Sequence, residues 1–215
     1  MEERKYHNDK NGIIFFFNYN ENFNQNVKDI KEHLCYLNWP CININTTCFN
    51  EIKTLLNNHS LLPFDGIIYI FFFGYGYGRN LFLGSSPQND CIHFETFCQE
   101  MDICRKRGNA MVLFTNLCFQ KPDQPFKNYY SSNLRDGSLN DVFQCHILIN
   151  GNVNNEGSLI MKYLLDICKE KIPLIKVSNK INQKIHENDS LKSKYYCHAS
   201  MLNACCDVYF PQFRK

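Results

Sequence analysis

Three runs of unbroken apolar residues restrict this chain more than any other feature. Gly12 to Asn18 reads GIIFFFN, Gly66 to Phe73 reads GIIYIFFF, and Met111 to Thr115 reads MVLFT. A strand with one face in water alternates apolar and polar residues, whereas a run that is apolar throughout belongs to a strand covered on both faces. Val142 to Ile149 predicts a further strand, and Cys41 to Asn45 a short alternating one. Helical spacing fills the intervals. Val27, Ile30, Leu34 and Leu37 share one helix face, and Asn38-Trp39-Pro40 ends that helix because the residue before proline resists the helical region. Helices are predicted over Thr47 to Asn58, Ile92 to Cys104, Ser158 to Lys169 and Leu174 to Ile185. Arg105-Lys106-Arg107 followed by Gly108 suits the C-terminal end of the second of these, Ile92 to Cys104. Asn80 to Gly84 reads as a short hairpin arm, and Tyr195 to Leu202 and Val208 to Phe210 as closing strands. Doubly buried strands alternating with helices predict an α/β sandwich with a mainly parallel sheet.

Composition narrows the function classes. With 215 residues the chain is one domain with a sizeable core. A net charge of +2 gives no excess of cations for nucleic acid. No apolar run approaches the ~18–20 residues of a membrane span. The opening MEERKYHNDKNG has no apolar segment of a signal peptide, so a cytoplasmic, reduced protein is expected. The 12 cysteines contain no Cys-x-x-Cys pair, so no zinc site is expected, and most are expected on apolar faces. The 28 asparagines are scattered and read as compositional bias. No cofactor and no metal is expected.

In parallel sheets function sits at the carboxyl ends of strands. Two ends stand out: the glycine-rich turn predicted at Gly74-Tyr75-Gly76-Tyr77-Gly78, and Cys118, just past the strand ending at Thr115. The turn lacks the Gly-Lys-Ser/Thr ending of a phosphate loop and the last glycine of a dinucleotide fingerprint, which argues against nucleotide binding. A cysteine nucleophile needs a neighbouring base and backbone N–H groups for an oxyanion. The turn offers such donors but no histidine. Taken alone, Cys118 reads as one inert buried cysteine among many. His93 and His146 fall on regular elements and read as structural, and His7, His33, His59, His186 and His198 as surface or edge residues.

From about Gly12 to Pro211 the chain resembles the caspase family of cysteine proteases, within the group that includes paracaspases and metacaspases. GIIFFFNYNENF resembles the first caspase strand and its turn. FDGIIYIFFFGYGYG stands where the family has the strand ending in the histidine-glycine motif, and NAMVLFTNLCFQ where it has the strand ending in the catalytic cysteine. GSLIMKYLLDICKE resembles the first helix of the small subunit, and YYCHASMLNACCDVYFP its closing strand pair. The resemblance implies a three-layer sandwich with about six mostly parallel strands and helices on both faces. It divides one caspase-like domain into a short polar segment at 1–11, a large-subunit-like part at 12–118, a linker at 119–140 and a small-subunit-like part at 141–215. With so short a first segment, self-activation through a recruitment domain is not expected.

The departures from the family pattern carry the functional expectation. Cys118 matches the nucleophile and Gly76 the glycine of the oxyanion hole, but Tyr75 stands at the catalytic histidine. A phenol with a pKa near 10 does not replace imidazole as a base at neutral pH. Asn116 and Phe119 alter the substrate-pocket positions on either side of the nucleophile. The loop after the first strand is shorter than the family's, and neither Asn18 to Ile30 nor Asn150 to Asn155 contains the arginines that grip a substrate aspartate. Two expectations follow. The chain is an inactive homologue that binds an active caspase, or itself, through the closing strand of the small-subunit-like part; or it is a working cysteine endopeptidase using Cys118 with His93 or His146 as base and a non-aspartate specificity. Asp136, followed by Gly137 in the linker, is both an ordinary turn dipeptide and a possible caspase cleavage site. No nucleic acid and no membrane partner is expected.

Overall fold

The computed structural model describes residues 12–58, 67–77, 80–84, 91–102, 110–119, 142–150, 162–167, 169–170, 172–192 and 195–202. Its sheet runs in the order β2 (Cys41–Ile44), β1 (Gly12–Asn18), β3 (Ile67–Tyr77), β6 (Ala110–Phe119), β7 (Val142–Asn150) and β8 (Tyr195–Leu202). The first five are parallel to one another and β8 is antiparallel to β7. Two short strands, β4 (Asn80–Phe82) and β5 (Cys91–His93), extend antiparallel from the end of β3. This is the expected six-strand path with a two-strand arm.

The unbroken apolar runs follow from what covers the sheet. One face packs on α1 (Asn24–Leu34), a helix at residues 162–167 labelled α4, and α5 (Leu174–His186), burying Ile30, Leu164 and Ile181 among others. The opposite face packs on α2 (Phe49–Asn58) and α3 (Phe94–Asp102) through Ile52, Leu56, Phe97 and Met101. A last short helix, α6 (Asp189–Lys192), follows α5. Register partners stack face to face. Phe71 lies 5.2 Å from Phe16 on one side and 5.2 Å from Phe114 on the other, ring centre to ring centre. On the other face Phe72 stacks on Phe17 at 5.8 Å and meets Phe97 edge-on at 5.6 Å.

Several boundaries differ from the sequence reading. Gly74-Tyr75-Gly76-Tyr77 is not a turn; β3 continues through it because β6 and β4 pair with it on either side. A side chain at Gly74 would crowd the ring of Phe72 at 3.2 Å and Tyr19 at 3.5 Å, so this glycine serves close packing. Cys118 lies within β6 rather than past it. Ile92 and His93 belong to β5, paired with β4, and the helix starts only at Phe94. The helix predicted from Thr47 starts at Phe49, where the Thr46 hydroxyl accepts from Cys48 N at 3.1 Å. His33, expected at the surface, is 7% exposed on the inner side of α1. The four cysteines with described side chains do not join the core: Cys35, Cys41 and Cys91 are exposed and Cys48 is half-buried. Gly78, the basic cluster at 105–107, the linker at 120–140, the helix start at 158–161 and the strand expected at 208–210 lie outside the described residues.

Candidate functional site

β3 has 11 residues and its neighbour β1 only 7. Their last register pair is Asn18 with Phe73, after which β1 turns away into a 3-10 turn at Glu21–Phe23. β1 has β2 on one side and β3 on the other, so the strand order reverses here, and such reversals open crevices at carboxyl ends. An open cleft of about 510 Å³ lies at this point. Asn18, Asn20, Asn22, Asn24 and Tyr75 line it, and Glu21 is the charged side chain among its lining residues.

The asparagines hold one another. Asn18 Nδ2 donates to Asn24 Oδ1 at 2.7 Å, and Asn22 N donates to Asn20 Oδ1 at 3.1 Å, which caps the 3-10 turn. Tyr19 N donates to the Phe73 carbonyl at 2.8 Å, and the Tyr19 hydroxyl donates to the Thr46 carbonyl at 2.8 Å. Burial pushes the Tyr19 phenol well above its ordinary pKa, so it stays a neutral donor. The sequence run NYNENFN carried this signal in its alternating asparagines, which composition alone disguised as bias.

Beyond the cleft, β6 brings the expected site residues into line. Cys118 is the register partner of Tyr75, Phe119 of Gly76, and Asn116 of Phe73. Tyr75 is half-buried against the core cluster of Phe71 and Phe73 and also lines the cleft. Gly76 is buried within β3 between β4 and β6, in paired backbone. Asn116 is 1% exposed, and both amide atoms of its side chain lack a hydrogen-bond partner. Leaving such a group unmade costs about 1–3 kcal/mol. Nothing in the residue string marked that feature, because it depends on what surrounds the side chain.

Neither histidine considered as a base is a register partner of Cys118. Its β7 partner is Ile149; His146 pairs with Thr115, three residues back, about 10 Å along the strand. His93 lies on β5, separated from β6 by β4 and β3. Asp136 lies outside the described residues. Among the described residues no group of three or more His, Cys, Asp or Glu is placed to hold a metal ion. No helix among them is long and apolar enough to cross a membrane.

A mainly parallel sheet between two helical layers, with an antiparallel closing strand and a two-strand arm at β3, is a caspase-like fold. Solved structures agree. Caspase-1 from Spodoptera frugiperda superposes with a TM-score of 0.62 at 10% identity, over 100% of this chain and 96% of that one. drICE superposes with a TM-score of 0.57 at 14% identity, over 96% of this chain and 94% of that one. No protein-family model and no curated protein sequence matches the chain.

Proposed function

We propose that this chain is a non-catalytic member of the caspase-like fold, a regulator or decoy that binds an active caspase in apoptosis or related cytoplasmic signalling. The observation that carries the reading is the pairing of Tyr75 with Cys118 at the carboxyl ends of β3 and β6. The resemblance puts an imidazole at the Tyr75 position, and a phenol holds its proton near neutral pH. The described lining of the cleft supports the same reading, since it contains no lysine or arginine to hold a substrate carboxylate. Cys118 is then a nucleophile position without its base, and Gly76 an oxyanion position without a reaction to serve.

Binding would use the closing strand. Among the described residues β8 ends the six-strand path and is antiparallel to β7, and a strand at the end of a sheet can pair with a second chain. The partner is an active caspase, or a second copy of this chain.

Two measurements test the reading. Purified chain incubated with peptides carrying aspartate at the cleaved position is expected to show no turnover, and Tyr75→His alone is expected not to restore it. Turnover that disappears in Cys118→Ala overturns the proposal in favour of a working cysteine endopeptidase. Mass measurement of the chain alone is expected to find it intact; incubation with an active caspase is expected to cut, where it cuts, after Asp136. Self-cleavage after Asp136 likewise overturns the non-catalytic reading.

A further inference from the structure

The cleft at the end of β1 has a chemistry that the nucleophile position does not explain. Its lining comes from the turn after β1, from Thr47 ahead of α2, from Tyr75 and from Gly84 beyond β4. The turn, Thr47 and Gly84 belong to the β1, β2 and β4 side of β3, whereas Cys118 pairs with Tyr75 from β6 on the other side. At about 510 Å³ the cleft is within the roughly 300–1,000 Å³ of small-ligand sites. Such sites are mostly apolar. Here the described lining holds no aliphatic side chain, no lysine and no arginine. Its walls are tied together within the chain itself. Asn18 Nδ2 donates to Asn24 Oδ1 at 2.7 Å, and the Tyr19 hydroxyl fixes the turn to the Thr46 carbonyl at 2.8 Å, next to Thr47. A cleft held in this way has little ordering left to lose on binding. The same bonds leave other groups open. Among the described residues the Glu21 carboxylate, the Asn22 side-chain amide, Asn24 Nδ2 and the Thr47 hydroxyl make no hydrogen bond or ion pair.

We infer that this cleft binds a neutral saccharide. A sugar hydroxyl both donates and accepts, and neighbouring hydroxyls on one ring present a pair of such groups to the two atoms of a planar carboxylate or carboxamide. The open groups ask for that mixture: Glu21 accepts, Asn24 Nδ2 donates, and Asn22 and Thr47 do both. A phosphate or carboxylate would face Glu21 with no cation in the described lining to offset it. An ammonium or guanidinium group satisfies Glu21 but opposes Asn24 Nδ2, since both are donors. An extended peptide draws on an unpaired strand edge or on apolar pockets. At this cleft Asn18 is already paired with Phe73 of β3, and Tyr75 with Phe82 of β4. Tyr75, half-buried, adds an aromatic surface for the C–H groups of a sugar ring. The inference concerns the cleft beyond β1, whereas the regulator reading concerns catalysis and β8, so either fails without the other.

The test is calorimetric titration of the full chain with maltose, lactose and N,N′-diacetylchitobiose, alongside inorganic phosphate, arginine amide and a blocked tri-alanine peptide. At least one of the three saccharides is expected to saturate with a Kd of about 1 mM or tighter, and to bind more tightly than every one of the other probes. Glu21→Ala and Asn22→Ala are each expected to weaken that saccharide about tenfold, or ~1.4 kcal/mol. Both residues are exposed, so the unliganded Tm is expected to stay where it is. Thr47→Ala, also exposed, gives the same readout should either of these variants lower the Tm. Absence of saturation by all three saccharides overturns the inference, as does an affinity that survives in the stable variants. Tighter binding of phosphate, arginine amide or the peptide overturns it in favour of a site for an anion, a cation or an extended chain.

Discussion

Phe71 and Tyr75 lie four residues apart on β3, on the same face, in opposite surroundings. Phe71 is held between two stacked rings, Phe16 and Phe114, each 5.2 Å away, and is fully buried. Tyr75 has β6 and β4 as neighbouring strands, lies past the end of the β1 pairing at Asn18 and Phe73, and borders a polar cleft. The difference in length between β1 and β3 is what separates a dry core from a candidate binding site. Where β1 continues, aromatic rings fill the space; where it stops, asparagines cap the turn and an unpaired amide sits on the next strand.

The comparison breaks most readily at its dry end. Phe71→Ala is expected to cost about 3–5 kcal/mol in chemical denaturation, because a cavity opens between two rings held on neighbouring strands. A loss below 1 kcal/mol would mean that the ladder relaxes and is not the rigid half of the contrast. Gly12→Ala follows at about 1–3 kcal/mol. The added methyl would meet the Trp39 ring and lie 2.7 Å from the Ile67 carbonyl, so the start of β1 has to shift. Unchanged stability would show that Trp39 moves freely.

Tyr19 joins the two regions, since it packs 5.6 Å from Phe72 and lines the cleft. Tyr19→Phe is expected to lose about 1 kcal/mol at neutral pH through the bond to the Thr46 carbonyl. The same residue gives a pH signature. Its folded pKa is raised above the unfolded value of about 10, so its stabilising contribution is complete below that pH and is lost as pH rises above it. Wild type should therefore lose stability more steeply than Tyr19→Phe above about pH 10, read from denaturation midpoints. Parallel curves would place the Tyr19 phenol in solvent. The smallest effect is expected at Lys28, whose 3.8 Å pair with Glu32 is two-thirds exposed on both sides. Lys28→Ala should change stability by less than about 0.5 kcal/mol, a reference for surface noise in the series.

Much of the dry half was legible from the residues. GIIFFFN and IIYIFFF permit only doubly covered strands, and the helical spacing of Val27, Ile30 and Leu34 named the buried side of α1. The site half was legible in part. The resemblance to the caspase family implied neighbouring strand ends for Tyr75 and Cys118, and the register pairs them. The boundaries around them were not, because Gly74 and Gly76 read as punctuation until two flanking strands are known to hold that backbone extended. His33 shows the same limit, since a polar residue on a helix reveals its burial only when the helix is docked.

The sequence by itself determined the class of sheet, the layers on its two faces and the presence of a tyrosine at position 75. These are properties of hydrophobic periodicity and residue identity, which any segment carries with it. Only the tertiary structure decided that β1 ends two register rows before Tyr75, that four asparagines surround the resulting cleft, and that the Asn116 amide is buried without partners. Those facts depend on distances between segments far apart in the chain. A side chain's hydrogen-bond balance is set by its neighbours in space, not by its neighbours in sequence.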